Sequence, residues 1–211
     1  MKTLAILIIF FLISSLDAGT YLAKDYSHLL GHLKGLSDPL LKMHFTLYQG
    51  YVKNSNAIEE TLKEMEKEGR DQTIAYGALK RRFGFEYDGM VLHELYFENL
   101  GGENLLLKKD QPLYQLIERD FGSFERWRKD FLATGMIRGI GWVILYQDFR
   151  GILHNVWVDE HQINHLAGAR PLLVMDVWEH AYITEYGLDR KGYLEAFYSN
   201  INWDRVASRL K

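Results

Sequence analysis

Asp176-Val177-Trp178-Glu179-His180-Ala181-Tyr182 places two acids, a tryptophan and a histidine directly after the apolar run Leu172-Leu173-Val174-Met175. Polar groups at the end of a buried strand need partners. Asp176 and His180, four residues apart, could offer one carboxylate oxygen and one imidazole nitrogen to a single metal ion. His44 and His93 each sit in a stretch otherwise given to packing. A lone histidine in such a helix is ordinarily a hydrogen-bonded core residue, but beside Asp176 and His180 the two become candidates for the missing ligands. Three imidazoles and one carboxylate suit iron, manganese or zinc. The metalloprotease pattern H-E-x-x-H is absent, because His93-Glu94 lacks a second histidine at the required spacing. His28, His32 and His154 read as surface or hydrogen-bonded residues.

These residues also carry a resemblance. The run Asp176 to Tyr182 is similar to the signature D-x-W-E-H-A-[YF] of the iron/manganese superoxide dismutases. The likeness continues, in the family's order, at Tyr51-Val52-Lys53-Asn54, at His93-Glu94-Leu95-Tyr96-Phe97-Glu98-Asn99-Leu100, at Asp120-Phe121-Gly122-Ser123-Phe124, at Gly139-Ile140-Gly141-Trp142 and at Ile201-Asn202-Trp203. It covers the chain from about Leu36 to the C-terminus.

The resemblance implies His44, His93, Asp176 and His180 as ligands of one iron or manganese ion per subunit, with solvent as a fifth ligand. It leans slightly to iron and leaves dual use open. It implies Tyr51 as the gateway tyrosine of the substrate funnel and a member of the proton relay, and Trp142 and Trp178 as walls of the site. Glu179 would reach across a homodimer seam to His180 of the partner subunit, tying one site to its neighbour. The implied reaction converts two superoxide anions and two protons to dioxygen and hydrogen peroxide by one-electron cycling of the metal. The alternative is a metal-binding protein of the same fold with lost or altered activity.

The chain also departs from the family pattern. His44 stands seven residues before Tyr51, where eight is usual; the eighth position back is Met43. His44 is retained as the ligand because a thioether suits an oxygen-and-nitrogen site poorly, and i and i+7 still share a helix face. Leu47 and Tyr48 replace histidines that usually follow the first ligand, and Ile183 replaces an interface tyrosine. The family places a Gln or His over the metal's solvent ligand. One of its two positions here is Gly89, which has no side-chain donor; the other falls in Glu160-His161-Gln162 and points to His161.

These residues must be positioned by recognisable elements. Ser37-Asp38-Pro39 starts a helix, since Ser37 or Asp38 can cap it and Pro39 suits its first turn. Leu40, Met43, Leu47, Tyr48 and Tyr51 then recur at helical steps, with His44 on or beside the stripe. Asn54-Ser55-Asn56 reads as a turn into a second helix carrying Ile58, Leu62 and Met65, and a third helix is predicted over 88–100, closed by Gly101-Gly102. The charge run 64–71 is a solvated face. Short helices follow over 112–120 and 123–134. Runs 141–146 and 152–158, separated by 147–151, give a hairpin signal, with a third strand over 171–177. Helix returns over 179–186 and 190–199.

The expected class is α+β: an N-terminal helical hairpin lobe, then a mixed lobe with a small three-stranded antiparallel sheet flanked by helices. The expected boundaries are a signal peptide over 1–19, an α-hairpin domain over 20–104 and an α/β domain over 105–211.

Composition limits the alternatives. The 211 residues are 47% hydrophobic, enough to bury a core. A formal net charge of −3 supplies no overall basic field, and no nucleic-acid partner is expected. Cysteine is absent, which removes disulfides, thiolate metal sites and cysteine nucleophiles. Met1-Lys2, the uncharged stretch 3–16 and the small residues that follow resemble a secretory leader, and the apolar run is shorter than the ~20 residues of a membrane span. Export to a periplasmic or extracellular location is therefore expected, with no stable membrane span after cleavage.

Overall fold

The computed structural model describes residues 20–102 and 106–210. The expected leader lies outside the described residues. Two long antiparallel-packed helices lead the chain. Helix α1 spans Asp38–Lys67 and α2 spans Ile74–Glu98. Ser37 caps α1 by accepting from the Leu40 amide, with Pro39 in the first turn, and Thr73 caps α2 by accepting from the Tyr76 amide.

Helix α1 does not break at Asn54-Ser55-Asn56, which corrects the turn expected there. Its buried stripe runs on without interruption through Tyr48, Val52, Ser55, Ile58, Leu62 and Met65. The asparagine side chains act at a distance: Asn54 donates to Glu86, and Asn56 pairs with both backbone groups of Tyr21. The hairpin turn lies beyond Lys67, through Gly69 at φ 69°. Helix α2 therefore begins well before Asp88, where the sequence reading started it.

The second half holds α3 (Pro112–Phe121), α4 (Phe124–Gly135), β1 (Gly141–Gln147), β2 (Leu153–Asp159) and β3 (Arg170–Asp176). The sheet is antiparallel with order β2-β1-β3, so β1 is central and fully buried. Register pairs Trp142 with Asp176 across β1 and β3 and with Val158 across β1 and β2. After β3 the expected single helix is split: a 3-10 turn over Glu179–Ala181 gives way at Tyr182 to α5 (Ile183–Tyr186). Helices α6 (Arg190–Ser199) and α7 (Trp203–Ala207) close the chain, each capped by its own Asp189 or Asn202 side chain.

One buried cluster runs through both halves, from Leu40, Tyr48 and Phe97 to Trp127, Trp142, Val174 and Trp203. Asn99, at the end of α2, is fully buried and donates to the Val174 carbonyl of β3 at 2.6 Å. A bridge between Leu100 and Ile201 ties the end of α2 to the tail. The site lies where α1 and α2 meet the end of β3.

Candidate metal centre

Helix α1 buries Leu40, Leu41, His44 and Tyr48 on one face. His44 is only 1% exposed, whereas Met43, one residue back and about 100° around the helix, is 38% exposed. The seven-residue spacing keeps Tyr51 on the His44 side. Helix α2 contributes His93, fully buried, whose Nδ1 donates to the Gly89 carbonyl one turn earlier at 2.6 Å. That bond leaves the His93 Nε2 lone pair free, and this buried atom has no hydrogen-bond partner. Strand β3 ends on Asp176, and the following 3-10 turn brings back His180.

The three imidazoles converge on one carboxylate oxygen. Asp176 Oδ2 lies 3.1 Å from His44 Nε2, 3.0 Å from His180 Nε2 and 3.6 Å from His93 Nε2. One donor atom from each residue falls within 4.8 Å of all the others. The second Asp176 oxygen accepts the Trp178 amide at 2.8 Å, and its backbone carbonyl accepts the Tyr193 hydroxyl at 2.6 Å, so the carboxylate is held in orientation. This donor set fits a first-row metal ion: three imidazoles, one carboxylate, and an orphaned nitrogen aimed into the group.

The electrostatics agree. Burial acts to raise the Asp176 carboxyl, but electrostatic attraction to His180 and hydrogen bonds with His180 and His44 outweigh it and hold the group below the usual carboxylate range. Burial pushes His44 down, only partly offset by Asp176, and pushes His93 well down with help from His44. Neutral imidazoles beside an ionised carboxylate are the ligand-competent forms.

A second layer covers the cluster. Tyr51 stacks on His93 with ring centres 5.1 Å apart. His161, fully buried, lies with Nε2 2.7 Å from Tyr51 Oη and Nδ1 3.1 Å from Trp142 Nε1. The indole N–H can only donate, so His161 Nδ1 accepts and Nε2 carries the proton toward Tyr51. Burial lowers His161 to about 3, keeping the ring neutral. Trp178 stacks on His161 at 4.7 Å and on His180 at 5.7 Å, and its indole donates to the Glu160 carbonyl. Glu160 adopts φ 48°, a left-handed conformation that turns the loop so that His161 points inward.

Gly89 is required by this layer, because a Cβ there would stand 2.7 Å from Cδ1 of Tyr51. Glu179 stands apart: its side chain is exposed on the single chain and reaches no partner among the described residues. His28 and His32 are exposed, and His154 is paired with Asp148.

Sequence reasoning missed four residues near the site. Phe85 packs its ring 4.5 Å from His161, and buried Glu86 holds Arg82 and Asn54. Tyr193 secures the backbone of Asp176. His165 contacts the His161 carbonyl. A second histidine four residues after His161 was the one visible signal among them.

A two-layer α+β fold with a buried His3Asp set between a helical hairpin and a strand end defines a mononuclear metalloprotein. Residues 109–209 match the family model for the C-terminal domain of iron/manganese superoxide dismutases. The chain is 41% identical over 181 residues to "Superoxide dismutase [Fe]" of Cupriavidus metallidurans, covering 84% of this chain and 89% of that protein. It is 39% identical over 190 residues to "Superoxide dismutase [Mn] 2" of Haloferax volcanii, covering 88% and 90%. "Superoxide dismutase [Fe]" of Aquifex pyrophilus is 37% identical over 188 residues, covering 85% and 86%. The chain belongs to the iron/manganese superoxide dismutase family.

Proposed function

We infer that this protein is a superoxide dismutase, and the observation that carries the inference is the convergence of His44, His93 and His180 on Asp176 Oδ2. An iron or manganese ion held by those four residues would supply the one-electron exchange by which two superoxide anions and two protons become dioxygen and hydrogen peroxide. The protein's own residues supply position and protons. His161 Nε2–H donates to Tyr51 Oη, which leaves the Tyr51 proton free to be given to a substrate anion arriving beside it. Burial holds the Tyr51 hydroxyl above its ordinary range, so it stays protonated until asked to give the proton up. Trp142 and Trp178 fix His161 from two sides and keep bulk water from the cluster. The test is direct: protein carrying about one iron or manganese ion per chain consumes superoxide and releases peroxide; metal-replete protein without turnover overturns the reading.

For the metal, iron is the first occupant and manganese a usable second. The iron-named relative at 41% identity supports this order, and manganese-named relatives at similar identity support dual use. Activity of each reconstituted form, beside metal analysis, decides it. Two copies pair through Glu179 and His180, a reading supported by the exposed Glu179 carboxylate next to a partly exposed His180 ring. Light scattering of wild type and Glu179→Ala tests the pairing. The leader-like start supports export, and no described helix is long and apolar enough to cross a membrane. Sequencing the N-terminus of the mature chain tests cleavage near residue 19.

A further inference from the structure

The 160–169 connection between β2 and β3 has to hold His161 inward against a strained start at Glu160. Several bonds brace it from outside: Trp178 Nε1 to the Glu160 carbonyl at 3.1 Å, the Asp159–Ile163 bridge, and Asn164 Nδ2 to the Trp157 carbonyl at 2.7 Å. None of these touches the carbonyl of His161 itself. His165 does, with Nε2 at 2.7 Å, while its Nδ1 lies 2.6 Å from the Tyr146 hydroxyl of β1.

The chemistry of the partners fixes the protons on this ring. A carbonyl only accepts, so His165 Nε2 bears hydrogen. In that tautomer Nδ1 has a lone pair, and Tyr146 donates to it. Asp88 of α2, 3.9 Å from the same Nε2, also only accepts, and so favours that tautomer. Tyr146 is buried in the central strand. The ring is thus a strut with one end on rigid sheet and the other on the peptide that carries His161. A cavity of about 160 Å³, lined by Asp88, Leu92, Tyr146, His165 and Pro171 among others, lies beside it, so neighbouring apolar packing would not replace the strut if it were removed.

We propose that His165 is a positioning residue that sets the depth and orientation of the His161 ring over the metal centre, through the chain Tyr146 Oη–H to His165 to the His161 carbonyl. The proposal rests on the functional reading above for its consequence, but its structural content concerns this chain alone. Outer partners of this kind commonly change activity by 10–100-fold when lost.

The test uses the indole N–H of Trp142, which donates to His161 Nδ1 and so reports where that ring sits, in ¹⁵N-labelled metal-free protein. In His165→Leu the Trp142 indole resonance shifts, and turnover of the metal-loaded protein falls about tenfold. His165→Gln, whose amide can donate to the carbonyl and accept from Tyr146, returns both toward wild type. An unmoved resonance in His165→Leu, or a shift that His165→Gln fails to reverse, overturns the proposal. Should His165→Leu not fold, Tyr146→Phe keeps the ring and removes only its inner support; there an unmoved resonance overturns the proposal and a shifted one supports it. A shifted and rescued resonance in a protein that never dismutes superoxide leaves the strut standing and defeats the functional reading instead.

Discussion

His161 Nε2 stands 2.7 Å from Tyr51 Oη and is the donor in that bond, because Trp142 occupies its other nitrogen. The direction matters, since it leaves the phenolic hydrogen of Tyr51 uncommitted.

Tyr51→Phe removes the hydroxyl while keeping the ring on His93. Metal content stays near one ion per chain, and turnover falls between tenfold and about a hundredfold, in line with the loss of a positioned proton donor. Pulse radiolysis on metal-quantified protein measures it. Unchanged turnover would remove Tyr51 from the proton path.

The proposed metal ligands are separable from the other histidines by substitution. His93→Ala takes away a buried nitrogen that has no hydrogen-bond partner and is expected to leave the purified protein largely without metal. His28→Ala, at an exposed position, leaves metal content unchanged. Chelation of the wild-type ion lowers the melting temperature, because ligand bound only to the native state contributes about 3 kcal/mol at a hundred times Kd. A metal-bound His93→Ala variant would contradict the assignment.

Burial lowers His161 to about 3 from an ordinary 6.5. Across that window the unfolded chain binds a proton that the native chain does not. The contribution to stability is therefore fully present above pH 6.5 and is lost as pH falls toward 3, by on the order of 1 kcal/mol per pH unit. Since His44 and His93 are also pushed down, the acid limb is shared. Metal-free wild type and His161→Gln, compared by urea unfolding between pH 6.5 and 4, isolate the His161 part: the variant loses stability less steeply. Equal slopes would mean that His161 takes up its proton at the same pH in both states.

What could be read from the chain depended on whether chemistry or packing chose the residue. The grouping of His44, His93, Asp176 and His180 and the inward His161 were legible because few other roles explain an acid and a histidine after a buried strand, and because the surrounding blocks resemble one family. The break in α1 was misplaced because Asn54-Ser55-Asn56 is a local turn signal, and local signals yield when the buried stripe and distant partners such as Glu86 and Tyr21 favour a straight helix. The start of α2 was invisible for a related reason. The helix meets α1 along one side and β3 along another, so its apolar residues show no single stripe. His165 was passed over although it stands four residues after His161, because nothing in that spacing tells a histidine that holds a backbone carbonyl from one at the surface.

Ser55 marks that same misread turn and makes a stability prediction. Its side chain is fully buried and its hydroxyl has no hydrogen-bond partner. Ser55→Ala removes an unsatisfied polar group and installs a better helix former, so chemical denaturation is expected to show a gain of about 1 kcal/mol with metal content unchanged. A loss of stability would mean that the hydroxyl has a partner after all.

Gly89 closes the case for the tyrosine layer. It sits inside α2 in ordinary helical surroundings, where alanine would by propensity add about 1 kcal/mol. Against that, the added Cβ would stand 2.7 Å from Cδ1 and 3.0 Å from Cγ of Tyr51, at the root of a ring that is stacked on His93 and bonded to His161. Such a ring cannot swing aside cheaply. Gly89→Ala should therefore keep the ligands and the metal, since His93 needs only the Gly89 carbonyl, while displacing Tyr51 and lowering turnover toward that of Tyr51→Phe. In the double variant Gly89→Ala/Tyr51→Phe the two losses should not add, because both act on one hydroxyl. Additive losses would show that Gly89 serves the site by another route than the room it leaves for Tyr51.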